Sequence, residues 1–412
     1  MAVLLEELVL SDLSRSRPIV FDKVDVTVAY NQVGAAIIDV PANLRNWELV
    51  QLDGNGDLIP FGMVVTWGEV YTVPVLIEDW AFKRQLVDGR IVETLTFTGA
   101  DFLCLLANRV MYPNPAAAWT AQTVGSTTYG PDAGETVIKT IVSANLVTAG
   151  DTARRVPLLT VAPDLGRGGT ATYKVATPDP AATTGTENTT VQASVMDMVR
   201  DVDEQTPIGV RVTLGDGVLV FDCYVPRDLT EKAVFSATLG NLPEATLTVG
   251  APSGNAILVQ SKVTGSTFTE TDGALAASPW RRVEQFLDQS STDTAADVTT
   301  AANQAIGAGA GRVDISATVV DLPRLRFGND ADGVQGYLVG DIGTLDVRDG
   351  VTFADVISKA QLVADATGDK YVETVTPTIG TQIDDAADQT ISSRLSARLR
   401  AFERALRGSA TL

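Results

Sequence analysis

Apolar and polar residues alternate along Ile91-Val92-Glu93-Thr94-Leu95-Thr96-Phe97-Thr98, the two-residue period of a strand with one buried face. The pattern then breaks. Asp101 stands where a helix N-cap stands, with a carboxylate able to accept from the free amides of the next turn. Leu103, Leu105, Leu106 and Val110 share one apolar face, and Pro113 and Pro115 forbid continuation. The same alternation predicts strands at Val24–Tyr30 and Ala35–Val40 around Asn31-Gln32-Val33-Gly34. It predicts two more at Glu48–Leu52 and Leu58–Val65 around Asp53-Gly54-Asn55-Gly56-Asp57, a strong hairpin signal. Thr72–Asp79 and Gly89–Phe97 complete a meander, read most simply as a small β-barrel over residues 1–111.

Beyond residue 112 the chain turns to small residues and then to a helix near Glu135–Ala144. Arg154–Ala162 and Thr170–Ala176 read as strands, and the Thr/Pro/Gly tract Thr177–Thr190 as a boundary. Residues 191–311 read as an α+β middle domain. It holds a helix at Met196–Glu204, a hairpin of Ile208–Leu214 with Gly217–Tyr224, strands at Ala245–Thr248, Ala256–Gln260 and Ser266–Glu270, and a helix at Ala295–Ile306. Strand-like runs from Arg312 to Thr376 predict a second small barrel over residues 312–383. The expected fold class is mainly β: two small barrels bracketing mixed α/β segments (112–190 and 191–311), with a terminal helix over 384–412.

That terminal helix begins acidic and ends basic. Arg394, Arg398, Arg400, Arg404 and Arg407 complement the negative end of a helix, and Gly408 is a natural stop. Ile391, Leu395, Leu399, Phe402 and Leu406 share one face. Leu395, Leu399, Phe402 and Leu406, with Arg398, are therefore candidate contact residues for a partner. Packing of the helix on its own domain is the plainer reading of the same stripe.

Composition narrows the chemistry. The 412 residues contain no histidine, which removes Ser–His–Asp hydrolases, the usual zinc enzymes and imidazole bases together. The two cysteines, Cys104 and Cys223, both lie in apolar runs and read as buried, reduced thiols. A formal net charge of −20 argues against nucleic-acid binding as the main task. No apolar run approaches the roughly 20 residues of a membrane span, and Met1–Leu10 lacks the basic start of a secretory leader.

Apparent motifs mostly dissolve. Asp53, Asn55 and Asp57 have the alternate spacing of a calcium loop, but Leu58 replaces the required glycine and Val64 the closing glutamate. Asp330 and Asp332 fail similarly. Gly307–Gly311 ends a helix and no Lys-Ser/Thr follows it, unlike a phosphate cradle. Leu165-Gly166-Arg167-Gly168-Gly169 allows close approach of an anion, or is simply a tight turn. Glu93 with Asp101, or Asp222 with Asp228, are glycosidase-like carboxylates only if space brings them together. Trp47, Trp67 and Trp80 read as core rather than as a sugar-binding strip. No catalytic, cofactor or metal residue is assigned.

The stretch Gly99–Pro115, GADFLCLLANRVMYPNP, resembles the tail-tip hub (minor tail) proteins of siphophages that infect actinobacteria. In that family a first β-domain is followed by a Gly-x-Asp turn, a leucine-rich short helix ending in Arg, and a Tyr-Pro-x-Pro loop. Further segments fall in family order: Arg154-Arg155-Val156-Pro157, Leu165–Gly169, Lys232–Ser236 with Gly240-Asn241-Leu242, Trp280–Phe286, Tyr337–Gly343 and Pro377–Gly380. The resemblance implies a structural virion protein rather than an enzyme. It would be assembled in the host cytoplasm as a homotrimer, related in architecture to the hubs of contractile tails. The implied partners are a distal tail ring, a tape-measure protein and a tip or fibre protein, around a channel for DNA, with no cofactor. A cell-wall glycan hydrolase carried on the tail, or a carbohydrate-binding adhesin, is the alternative.

Overall fold

The computed structural model describes residues 3–68, 71–87, 89–122, 126–176, 194–249, 254–261, 268–272, 279–289, 295, 298–299, 302, 305–306, 313–318, 325–328, 336–348, 351–367 and 370–380. Of the described residues, strand makes up 49% and helix 15%, so the fold is mainly β. The chain divides into two compact units. The first is Met1–Asp179, Thr190–Ala245 and Ala317–Ile379; the second is Pro180–Thr189, Thr246–Ser316 and Gly380–Leu412.

In the first unit, strands β1 (Leu4–Val9), β2 (Ser14–Pro18), β3 (Lys23–Ala29), β4 (Ala35–Pro41), β5 (Phe61–Trp67), β6 (Tyr71–Val87) and β7 (Arg90–Asp101) form one sheet. Its order is β3-β4-β7-β6-β5-β1-β2. Alternate residues of β3 and β4 (Val24, Val26, Val28; Ala36, Ile38, Val40) are buried, as their period requires. The stretch Glu48–Leu52 differs from expectation. A single turn of helix, α1 (Leu44–Trp47), precedes it, begun by Asn43, whose side chain accepts from the Asn46 amide. Only an isolated Leu52–Leu58 bridge remains of the predicted hairpin. Inside it Asp53 Oδ1 accepts from the amides of Asn55 and Asp57, the geometry of a turn. β6 carries a bulge at Glu78. Opposite it Gly99 lies so close to β6 that a Cβ would stand 2.1 Å from the Leu76 carbonyl oxygen, so only glycine fits.

Helix α2 (Cys104–Ala107) follows β7. Asp101 Oδ1 accepts from the Leu103 amide at 3.0 Å, but Asp101 itself ends the strand and Leu103 is the cap residue. Two longer helices, α3 (Gly134–Val142) and α4 (Val195–Asp203), pack on each other and on strands β8 (Ser126–Ala133) and β10 (Thr170–Ala176), which pair antiparallel. α4 opens with a reciprocal Ser194–Asp197 capping box. The expected strand Arg154–Ala162 is a 3₁₀ turn, Thr152–Arg154, followed by the short β9 (Leu159–Val161). Proline at position 157 and Leu158 at positive φ separate the two. β11 (Gly209–Leu214) and β12 (Leu219–Tyr224) form the expected hairpin, and β12 pairs parallel with β9. Val137, Ile138, Ile141, Met198, Val199, Val202, Phe221 and Cys223 share one core, and Cys104 is buried as well.

After β13 (Val234–Ser236) the chain enters the second unit through β14 (Glu244–Val249). There β15 (Ala256–Ser261) lies between β16 (Phe268–Asp272), antiparallel, and β17 (Glu284–Gln289), parallel. Ile257 and Val259 pack with Val298 and Ala302. The chain leaves through β18 (Val313–Thr318).

Back in the first unit, β19 (Ile342–Arg348) pairs with β13, and β20 (Val351–Asp365) continues into β21 (Val372–Gly380). The fifteen-residue β20 serves two neighbourhoods: Val351–Val356 pairs with β19, while Lys359–Asp365 pairs with both β21 and β3. Chain segments more than three hundred residues apart thus share a ladder, reinforced by Gln361 donating to Asp25 at 2.8 Å. Among the described residues this path of strands does not close into a barrel.

Candidate functional site

The densest chemistry lies where α3 meets the Leu165–Gly169 turn. Glu135 opens α3, where a carboxylate suits the positive end of a helix. Lys139 follows one turn later and reaches Glu135 Oε1 at 2.6 Å, Asp222 Oδ1 at 3.0 Å and the Pro163 carbonyl at 2.8 Å. Arg167 binds both oxygens of Glu135 through Nε (2.9 Å) and Nη2 (2.7 Å), and also reaches Asp222 at 2.7 Å. Its own amide donates to Glu135 Oε2 at 2.8 Å. Arg211 closes the outer side on Asp222 Oδ2 at 3.2 Å. Gly166 and Gly168, both at positive φ, let the turn wrap this closely. The anion that the glycine-rich turn approaches is therefore the chain's own Glu135.

This arrangement fixes protonation. Burial alone raises the Glu135 carboxyl, but donation from Arg167 and Lys139 outweighs it and holds the group at about 2. Asp222 is likewise lowered: burial raises it, and Lys139 and Arg167 more than offset that. Two carboxylates do face each other here, yet both are ionised and neutralised by shared cations, so neither is a general acid at neutral pH.

The other carboxylates raised as a glycosidase pair are dispersed. Glu93 pairs with Arg84 at 3.4 Å on β7 and β6. Asp101, at the far end of β7, is pushed up to about 6 by burial. Asp228 caps its own turn, accepting from the Thr230 amide and hydroxyl. Both thiols are pushed up by burial to about 12 and are inert at neutral pH. Trp67 is core, while Trp47 packs edge-on against Trp80 at 5.7 Å. Among the described residues no group of three or more Cys, Asp or Glu side chains is placed to hold a metal, and no helix is long and apolar enough to cross a membrane.

Several of the spaced segments meet in space. Arg154 lies over the Tyr112 ring at 3.4 Å and donates to the Val110 carbonyl, tying the 3₁₀ turn to the Tyr-Pro-Asn-Pro loop. Arg227 makes a bidentate pair with Asp341 (2.8 and 2.6 Å). Tyr337 stacks edge-on with Phe235 at 5.1 Å. Asn31, at φ +48, uses its buried side chain to hold the Ile208 carbonyl and the Val210 amide. These contacts fasten elements together; none opens a cleft for a substrate. The candidate contact residues Leu395, Arg398, Leu399, Phe402 and Leu406 lie outside the described residues.

A family model described as Siphovirus ReqiPepy6 Gp37-like protein matches residues 11–381. The chain belongs to that family. Gp37-like proteins are siphovirus tail proteins, so this one is a component of the virion tail. Solved structures agree on the fold. The 43 kDa tail protein of prophage MuSo2 from Shewanella oneidensis superposes with a TM-score of 0.53 at 9% identity, covering 92% of this chain and 97% of that one. The tail protein from Neisseria meningitidis MC58 gives 0.53 at 11% identity with the same coverage. No curated protein matches the Gp37-like chain.

The Glu135–Lys139–Arg167–Asp222 cluster was not picked out from sequence. Its signal is there: a Glu and a Lys four apart interrupt the apolar face of α3. A charged pair on a core-facing stripe needs partners, and Arg167 and Asp222 are those partners.

Proposed function

We propose that this Gp37-like protein is a hub of the tail tip, acting as a structural part without catalysis. Three copies assemble into a ring that joins the tail tube and distal tail ring to the tip or fibre protein. The tape-measure protein and then DNA pass through its centre. The observation that carries this reading is the family match across residues 11–381. The fold likeness to two tail proteins over nearly their whole lengths supports it. So does the organisation of β20, which serves one strand group on β19 and another on β3 and β21. Two such groups per chain, each completed as a small barrel, give a threefold ring six lobes to set against a sixfold tube. A formal net charge of −20 suits a wall that DNA must pass without sticking. The segments 1–111, 112–190, 191–311 and 312–383 serve as the parts of this hub. The helix over 384–412 presents Leu395, Leu399, Phe402, Leu406 and Arg398 to a neighbouring tail protein.

The test is molar mass by light scattering with negative-stain images of the same peak. The expected result is a mass near three times 43.4 kDa and a six-lobed ring, alone or once the distal tail protein is added. A particle that stays at 43.4 kDa under both conditions overturns the trimeric hub.

A further inference from the structure

The turn at residues 53–57 lacks the ligands of a calcium loop but carries another chemistry. Of the asparagines in the sequence, only Asn55 precedes a glycine. Residues 51–57 are all exposed, and the loop is closed by the isolated Leu52–Leu58 bridge and by the Asp53 amide on the Asp57 carbonyl at 2.8 Å. Gly56 stands at φ +90 in open space, where a Cβ would meet no atom within 4 Å. Without a side chain, residue 56 leaves its backbone nitrogen open to approach by the Asn55 side-chain carbonyl carbon. That nitrogen is restrained, because it donates to the Asp53 carbonyl at 3.1 Å. The Asp53 carboxylate holds the same turn: Oδ1 accepts from the amides of Asn55 (2.8 Å) and Asp57 (3.0 Å), and Oδ2 from Asn55 Nδ2 at 3.3 Å. Donation from the Asp57 and Asn55 amides lowers the Asp53 carboxyl, so it is ionised at neutral pH.

We propose that Asn55 is a site of spontaneous modification, converted by water to aspartate and isoaspartate through a cyclic imide, and that the Asp53 side chain slows the conversion by holding the turn. When the turn opens, hydroxide takes the Gly56 amide proton. The nitrogen attacks Asn55 Cγ, a C–N bond forms, and the side-chain amide nitrogen leaves as ammonia after taking a proton from water. Water then opens the five-membered ring. Attack at Cγ breaks the bond just made and gives aspartate. Attack at the main-chain carbonyl carbon breaks the original peptide bond and gives isoaspartate, with the chain continuing through Cγ. In both cases the hydroxyl stays on carbon and the hydrogen goes to nitrogen. One asparagine and one water become one acid and one ammonia, with no oxidant or reductant. Either product places one more negative charge between Asp53 and Asp57. Isoaspartate also lengthens the backbone by one carbon, which draws the Asp57 amide away from Asp53 Oδ1. The site is independent of the trimeric reading above.

The experiment incubates the full-length wild type, Asp53→Ala and Asn55→Gln at neutral and at mildly alkaline pH and follows every asparagine by peptide mass mapping. A wild-type sample in urea gives the rate of the open chain. Folded wild type is expected to convert at Asn55 ahead of every other asparagine, faster at the higher pH and more slowly than in urea. Asn55→Gln is expected to lose the conversion, because its side chain would have to close a larger ring. Asp53→Ala is expected to convert at Asn55 roughly 2- to 10-fold faster than wild type, the factor that one or two lost turn hydrogen bonds give to an opening equilibrium. Asp53 is exposed, so the variant should keep its fold, with the other asparagines at their wild-type rates. If those rates rise as well, Asp53→Ser replaces it, and a rise confined to Asn55 is then the supporting result. An Asn55 that stays unconverted in the folded chain while the urea sample converts overturns the site. A wild-type rate in the Asp53 variant overturns the restraint and leaves the site standing.

Discussion

The charged cluster behind α3 and the β6–β7 arm belong to the same compact unit and treat water in opposite ways. In the cluster Glu135 is fully buried, and each of its two oxygens accepts from neighbours in the same chain. Along the outer arm, where among the described residues 84–87 and 90–93 pair only with each other, the apolar groups are exposed and the backbone edges open. A buried charge survives only if its partners are already in place, so the cluster is finished within one chain. An exposed apolar strip has no such requirement, so the arm can leave its apolar side chains in water. The cluster holds this tail protein together, and the outer arm contributes little to that.

The largest effect should come from breaking the cluster. Glu135→Ala leaves Lys139 and Arg167 facing Asp222 alone and is expected to cost about 3–5 kcal/mol of stability at pH 7. Its folded carboxyl is lowered, so the stabilisation is fully present above the ordinary 4.5 and lost as pH falls toward about 2. Thermal melts of variant and wild type should therefore converge over that window. A constant gap would locate the loss in packing instead.

Asp101 sharpens the contrast with the opposite sign. Burial raises its carboxyl to about 6, so ionisation disfavours the folded state. The penalty is fully present above about pH 6, shrinks as pH falls through that value and is gone below the ordinary 3.8. Asp101→Asn keeps an acceptor for the Leu103 amide. It is expected to add about 1–3 kcal/mol at pH 8, a difference of roughly two pKa units, and nothing at pH 3.5. Denaturant titrations at the two pH values measure it, and equal effects at both would assign the gain to something other than charge.

The smallest effect is expected at the arm's ion pair. Arg84 and Glu93 lie 3.4 Å apart with side chains 61% and 38% exposed. Arg84→Ala should move chain stability by no more than about 0.5 kcal/mol. A loss above about 1 kcal/mol in the isolated chain would mean that the arm is held against its own unit.

Much of the fold was legible because local periods carry it. The alternation of Val24–Tyr30, Ala35–Val40 and Thr170–Ala176 fixed strands close to where they lie, and the turn Gly215-Asp216 fixed the β11–β12 hairpin. Glu48–Leu52 was misread because Asn43 begins a turn of helix whose cap outweighs the weak strand signal after it. The apolar setting of both thiols was likewise visible in their own neighbourhoods. By itself, then, the sequence determined that this protein is mainly β, that its cysteines are inert, and that imidazole chemistry is absent; the ordered segments marked the family. Only the tertiary structure decided that β20 joins β3 across more than three hundred residues, that Arg167 grips Glu135, and that β6 and β7 run past their neighbours. The reason is physical: alternation and capping are set within a few residues, whereas pairing between distant segments depends on which buried surfaces and charges meet once the chain has closed.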